Sequence, residues 1–465
     1  MIDSAATLAR RLERYRAALP AVLPPAAIDA REGRGAADLA TRLAAAVDGD
    51  VVISPEGRIV RCESPVREIA VDRDRLATLP GQPPPDVPLV CLDTETTGLA
   101  TAAGTAAFLV GLGWWESADR YRQVQLLLPD HGEERALLTA VEAAIPPDAW
   151  LVTYNGRGFD WPLLTTRFRL ARRPAPIHAG HLDLLPVVRR VFRHRMVDAR
   201  LRTAEAVLLG LHRVGDVEGW EIPGRYHEFL RGGSAAPLAE VARHNDQDVR
   251  SLAWLLAHLA DRYGDPAERS GAPPGDLAGL ARSFAREHRL DEALGCLDAA
   301  ADRPIEQTVV PTPSSAAAAA GTPDDAPWWS PRRPADFGGR QNPLSTSSVV
   351  PRGAALAAPW TTERIAIDRA HLLRRLGRHA EAAEAWDALA AGAGRIAIVA
   401  AIELAKIREH RLRDRRAALD AVVRGLDAVE RRRRLGLPEP TLEADLLRRA
   451  SRLRRRIGPV SRDGR

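Results

Sequence analysis

A chain of 465 residues with 45% hydrophobic and 27% charged side chains is too long for one ordinary domain and too apolar to be wholly disordered, so two or three packed domains are expected. The formal net charge of +5 admits a nucleic-acid partner, although only one of the 66 basic residues is a lysine (Lys406), an arginine bias that also fits a GC-rich coding sequence. Cys62, Cys91 and Cys296 lie far apart without a CxxC pair, which excludes a disulfide framework and a cysteine-rich metal site; with no stretch of about 18 apolar residues, the expectation is a cytoplasmic protein with no membrane partner.

In chain order, residues 1–84 open with an amphipathic helix pattern, MIDSAATLARRLERYRAALP, that lacks the apolar core of a signal peptide. GDVVISPEGRIVRCE then places two apolar runs around SPEG, the pattern of a β-hairpin, and LPGQPPPDVP forms a stiff connector. From 85 to 265 the pattern is α/β. PLVCLDTET, FLVGLGWWE and RYRQVQLLLP read as three strands, EERALLTAVEAAI as a helix, and WLVTYNG as a further strand entering the core. Four helical segments follow, from FDWPLLTTRF to DVRSLAWLLAHLADRY, and the whole predicts a mixed sheet flanked by helices. Trp114 and Trp115 are adjacent in a strand, which predicts one facing the core and one the surface.

The strands stop near residue 270. Segments 270–304 and 359–430 carry helix–turn–helix patterns that align: His288, Ala293 and Leu297 in the first match Gly377, Ala382 and Trp386 in the second, and AIELAKIREHRLRDRRAALDAVVRGL is a looser third copy. A small residue five after the turn admits the neighbouring helix while the large one fills the groove, as in tetratricopeptide-like repeats. Between them, 305–358 is rich in Pro, Ser, Ala and Gly and reads as a disordered insertion, with Trp328 and Trp329 as a local sticky spot. Residues 431–465 read as a basic helix and tail; from Ala405 to Arg465 there are 19 basic and 9 acidic residues, an excess of +10 that suits nucleic acid or merely a solvated helix surface.

Three short motifs carry carboxylates in suggestive places. In LDTETTGL, strand alternation puts Asp93 and Glu95 on one face, about 7 Å apart, where they repel unless cations intervene. In YNGRGFDWPLLTTRF, Asp160 opens a helix directly after a strand, a position that simple capping also explains. In ARHNDQDVRSLAWLLAHL, His244 and Asp248 are four apart and share a helix face, whereas Asp246 is rotated away; an ordinary ion pair would look the same. Asn155 is placed to orient the loop before Asp160, and His181 and Asp183 in HLDLLPVVRR stand where they could support the site or cap the next helix.

In this order, with GTAAFLVGLG, HLDLLPVVRR and IPGRYHEFLRGG between and around them, the motifs resemble those of the DEDD exonuclease superfamily, and within it the YprB-type RNase H-like family with C-terminal tetratricopeptide-like repeats. The likeness covers about 90–262 and the repeats extend it. It implies an RNase H-like mixed sheet followed by an all-α region, and a 3′–5′ exonuclease that takes single-stranded nucleic-acid 3′ ends, with the repeats available to a protein partner. It further implies two Mg²⁺ or Mn²⁺ ions: Asp93 would bridge both, Glu95 and Asp248 would complete one, Asp160 would hold the other, and His244 would act as general base. One departure stands out, because His244 lies four before Asp248, the spacing at which the superfamily's tyrosine branch places its tyrosine. The alternative function is a catalytically weak nucleic-acid-binding or scaffolding protein acting through its helical repeats.

Overall fold

Strand-forming runs that are buried on both faces drive the architecture. In a computed structural model, which describes residues 34–98, 104–302 and 362–457, all nine residues of β5 (Ala107–Trp115) are buried, as are the first four of β4 (Leu89–Thr96). With β1 (Asp50–Ser54), β2 (Gly57–Glu63), β3 (Arg67–Glu68), β6 (Arg120–Leu127), β7 (Trp150–Thr153) and β8 (Gly180–Asp183) they form one sheet in the order β1-β2-β6-β5-β4-β7-β8, with β3 also paired to β6. The pairs β4–β7 and β7–β8 are parallel and the others antiparallel, so the sheet is mixed. The predicted hairpin is therefore the outer edge of the same sheet, because β2 pairs with β6 from Val60↔Leu127 to Glu63↔Val124.

The helices of this unit are α1 (Arg34–Val47), α2 (Glu134–Ala144), α3 (Asp160–Leu170), α4 (Leu184–Phe192), α5 (Ile222–Leu230) and α6 (Ala236–Gly264), with short helical turns between. One hydrophobic core joins Leu43 of α1, Val90 and Leu92 of β4, Leu109 of β5, Val141 of α2, Phe168 of α3, Phe229 of α5 and Val241 of α6. Helix α6 packs its side chains directly against the bare backbone of β5 at Gly111. A Cβ on Gly111 would come within 2.2 Å of Asn245 Oδ1 and 2.6 Å of Val249 Cγ2. That close approach needs glycine, and it fixes which turn of α6 sits above the strand.

Two expectations are corrected here. Trp114 and Trp115 are both buried, 2% and 0% exposed, because the sheet is covered on both faces. Trp115 donates its Nε1–H to Ile69 O (2.7 Å), packs edge-on against Tyr121, and carries the Arg73 guanidinium over its ring. GHLD, read as the lead-in to a helix, is the strand β8, in register with β7 from Trp150↔Gly180 to Thr153↔Asp183. Four residues are too few for period-two alternation to show.

The described residues from 270 to 457, with 190–195 (the last turn of α4 and the turn after it), form a second unit, in which every regular element is a helix. It contains α7 (Pro274–Arg286), α8 (Leu290–Ala301), α9 (Thr362–Arg375), α10 (His379–Ala390), α11 (Gly394–His410), α12 (Arg415–Arg434) and α13 (Pro440–Ile457), each packed on the next. The α7–α8 and α9–α10 turns are alike: His288 and Gly377 have φ of +62° and +77°, and the following N–H, of Arg289 or Arg378, donates to Phe284 O or Leu373 O at 3.0 Å. Ala293, Ala382, Leu297 and Trp386 are all buried. The opening helix pattern, the insertion at 305–358 with Trp328 and Trp329, and the last eight residues lie outside the described residues. Among those described, no helix is long and apolar enough to cross a membrane.

Candidate carboxylate site

The site forms where the parallel strands end. Because β4, β7 and β8 run the same way, their C-terminal ends share one edge of the sheet, the usual place for a crevice in a sheet of this kind. Asp93 and Glu95 stand at the end of β4, where the register shifts between Glu95 and Thr96. Such a bulge bends the strand and re-aims side chains. Asp160 opens α3 after the turn that leaves β7. In that turn Asn155 has φ +71°, and its carbonyl accepts from Gly158 N (3.0 Å) and Phe159 N (3.1 Å). The Asp160 carboxylate is buried and accepts from Thr94 N–H (3.1 Å) and Thr94 Oγ1–H (2.5 Å), which pins α3 to β4.

Helix α6 supplies the opposite wall. Asn245, fully buried, donates from Nδ2 to Asp93 Oδ2 (2.9 Å), and its Oδ1 accepts from Gln125 Nε2 (2.9 Å). His244 Nε2 lies 3.7 Å from Asp248 Oδ2 and 3.9 Å from Glu95 Oε1. Glu95, Asp248 and His244 keep 12%, 15% and 16% of their side chains exposed, so the cluster is sunk but reachable. Asp246 points elsewhere, accepting from Ser64 and Gln123.

The electrostatics are those of acids forced together. Burial first, then the charges of Asp248 and Asp160, push the carboxyls of Asp93 and Glu95 well above the usual carboxylate range, with Asn245 and Arg213 respectively working the other way. Burial raises Asp160 to about 6 against the Thr94 hydrogen bonds. It raises Asp248 too, opposed by His244 and Arg213. Asp93 and Glu95 thus both feel Asp248 and Asp160, so the four residues expected from the sequence lie within electrostatic reach of one another.

Arg213 is the internal cation. It binds Glu205 through Nε and Nη2, Asp216 through Nη1 (3.0 Å), and Asp248 through Nη2. Burial alone would weaken its charge, yet the hydrogen bonds to Glu205 and Asp248 hold its guanidinium above the ordinary range. Glu205 is fully buried at the start of a π-helical turn, Glu205–Leu209. His244 Nδ1 lies 2.7 Å from Asp216 Oδ1.

The remaining expected residues stand behind the site. Asp183 accepts from Asn155 N–H (2.8 Å), Arg157 N–H (3.2 Å) and Leu185 N–H (3.1 Å), so it braces the turn before Asp160 and starts α4. His181 sits 2.8 Å from Thr153 Oγ1 and stands edge-on to His178; burial, then Arg157 and His178, lowers its pKa to about 4. Its contact with Thr153 ties β7 to β8. Thr94, Gln125, Glu205, Arg213, Asp216 and Asn245 were not foreseen. Only Asn245 left a signal, standing three before Asp248 on the same helix face.

The donor set suits hard divalent cations: four carboxylates, oxygen ligands only, raised in pKa chiefly by burial, with the charges of Asp248 and Asp160 adding to it at Asp93 and Glu95. Among the described residues, no three His, Cys, Asp or Glu side chains are arranged as a finished metal shell. Asp93 is turned to Asn245, Asp160 to Thr94 and Asp248 to Arg213.

Comparison with known proteins bears on the fold. Residues 90–260 match the family model described as the RNase_H superfamily, and that match, with the mixed sheet and flanking helices, makes this an RNase H-like fold. Members of that superfamily are mostly nucleases that act on nucleic acid and generally use divalent metals. The chain is also 35% identical over 222 residues to the uncharacterized protein YprB of Bacillus subtilis (strain 168), an alignment covering 47% of this chain. The chain spans about half the length of that relative, 52%.

Proposed function

We propose that the chain is a metal-dependent 3′–5′ exonuclease that hydrolyses phosphodiester bonds at single-stranded nucleic-acid 3′ ends. The supporting observation is the convergence of Asp93, Glu95, Asp160 and Asp248, from a strand end, a strand–helix junction and a late helix, into one sunken cluster in which burial raises every carboxyl and Asp248 and Asp160 raise Asp93 and Glu95 further. Asp93, Glu95, Asp160 and Asp248 would hold two Mg²⁺ or Mn²⁺ ions. When bound, the ions would supply Lewis-acid activation of water and stabilise charge on the leaving 3′ oxygen. Asn245 would orient the Asp93 carboxylate and Thr94 that of Asp160, and Arg213 would hold Asp248 until the site fills. His244, with Nε2 turned toward Glu95 and Asp248, would take a proton from the attacking water.

The test compares wild type with Asp93→Ala on 5′-labelled single-stranded DNA and RNA, with Mn²⁺, Mg²⁺ or EDTA. Stepwise shortening from the 3′ end by the wild type alone, abolished by EDTA, is expected. Equal or absent degradation by both proteins would defeat the reading.

A further inference from the structure

Accepting the exonuclease reading, we propose that Asp216 is the positioning residue for His244: its carboxylate takes the Nδ1–H hydrogen bond, so Nε2 is left as the bare nitrogen presented to the carboxylates.

The contact is short and well braced. Asp216 Oδ1 lies 2.7 Å from His244 Nδ1 and also accepts Val217 N–H at 3.0 Å, while Oδ2 accepts from Arg213 Nη1 at 3.0 Å. Val217 is buried in the main core, and Arg213 is clamped by the fully buried Glu205, so the carboxylate is held from both sides. The groups facing the imidazole are Asp216 and Arg213 on the Nδ1 side and Glu95 and Asp248 on the Nε2 side.

Two contacts compete for Nδ1. Arg213 Nη1 approaches to 3.4 Å and could donate only to a bare Nδ1, whereas Asp216 at 2.7 Å could only accept from a protonated one. The shorter contact, to an acceptor already fixed by a cation, decides for Nδ1–H. A neutral imidazole protonated at Nδ1 carries its lone pair on Nε2, which is the form a general base needs on that side. Asp216 acts through the ring and would not touch substrate. Its loop, LHRVGDVEGW, lies far from α6 in sequence, so no local spacing announces it.

The test has a spectroscopic arm and a kinetic arm. In histidine-labelled full-length protein at mildly alkaline pH, long-range ¹H–¹⁵N correlations report the tautomer, with the His244 signals identified by their loss in His244→Gln. A pyrrole-like Nδ1 and pyridine-like Nε2 are expected in the wild type, moving toward the opposite tautomer in Asp216→Ala and less in Asp216→Asn. An Nε2–H wild-type ring, or a tautomer that ignores both substitutions, would overturn the assignment. In hydrolysis, Asp216→Ala should cut kcat about 10- to 100-fold with KM and directly measured Mn²⁺ affinity unchanged. It should add nothing in a His244→Ala background; losses that multiply would also overturn it. A wild type inactive under every condition would overturn the exonuclease reading instead, leaving the tautomer measurement to judge Asp216.

Discussion

Asp160→Asn removes one negative charge from the carboxylate cluster while keeping the side chain's volume and an oxygen that can accept from Thr94 N–H and Oγ1–H. Burial raises the Asp160 carboxyl from 3.8 to about 6. An acid whose folded pKa is raised binds its proton more tightly in the folded chain, so folding is penalised once pH exceeds the folded value. The penalty is about 1.4 kcal/mol per pKa unit, hence about 3 kcal/mol above pH 6, shrinking to nothing as pH falls through the window to 3.8. Asparagine escapes it at the cost of weaker hydrogen bonds, so the metal-free variant should be about 1–3 kcal/mol more stable near neutral pH, or several degrees in Tm. Urea and thermal unfolding of the sheet-bearing unit in EDTA, at neutral and at acidic pH, read this directly. Mn²⁺ should raise the Tm of the wild type and much less that of the variant. A variant less stable than wild type at neutral pH, or a gain that persists undiminished below pH 4, would refute the reasoning.

Gly111→Ala drives a methyl into Asn245 Oδ1 and Val249 Cγ2, and should cost about 1–3 kcal/mol in urea unfolding; an unchanged midpoint would mean α6 can lift off β5 freely. Asn245→Ala leaves the buried Gln125 amide and the Asp93 carboxylate without their shared partner, so stability should fall by about 1–3 kcal/mol and hydrolysis with it; unchanged stability would show that water fills the gap at no cost. His288→Gly relieves a left-handed φ at the α7–α8 turn and should stabilise the helical unit by about 0.5–1 kcal/mol, whereas a loss would show that the imidazole itself contributes.

What could be read from the sequence was what local periodicity encodes. Strand alternation put Asp93 and Glu95 together, a strand–helix junction located Asp160, and helical spacing joined His244 to Asp248. The matching turns at His288 and Gly377 were legible because a small residue and a large one recur at fixed offsets from each. Long-range partners were hidden. Arg213 meets Asp248 35 residues away and Asp216 meets His244 28 residues away, both from a loop with no period. The second face of the sheet was hidden too, because the residues that cover Trp115, Ile69 and Arg73, precede it by more than 40 positions.

The edge hairpin bears on how this protein can be cut. The matched segment begins at residue 90, yet β6 has β2 and β3 as outer neighbours, both contributed by earlier residues. A fragment trimmed to the matched segment would bare the backbone donors and acceptors of β6 and uncover Trp115, leaving a sticky open edge that invites other chains to pair with it. The smallest well-behaved piece should therefore start before α1, well upstream of residue 90.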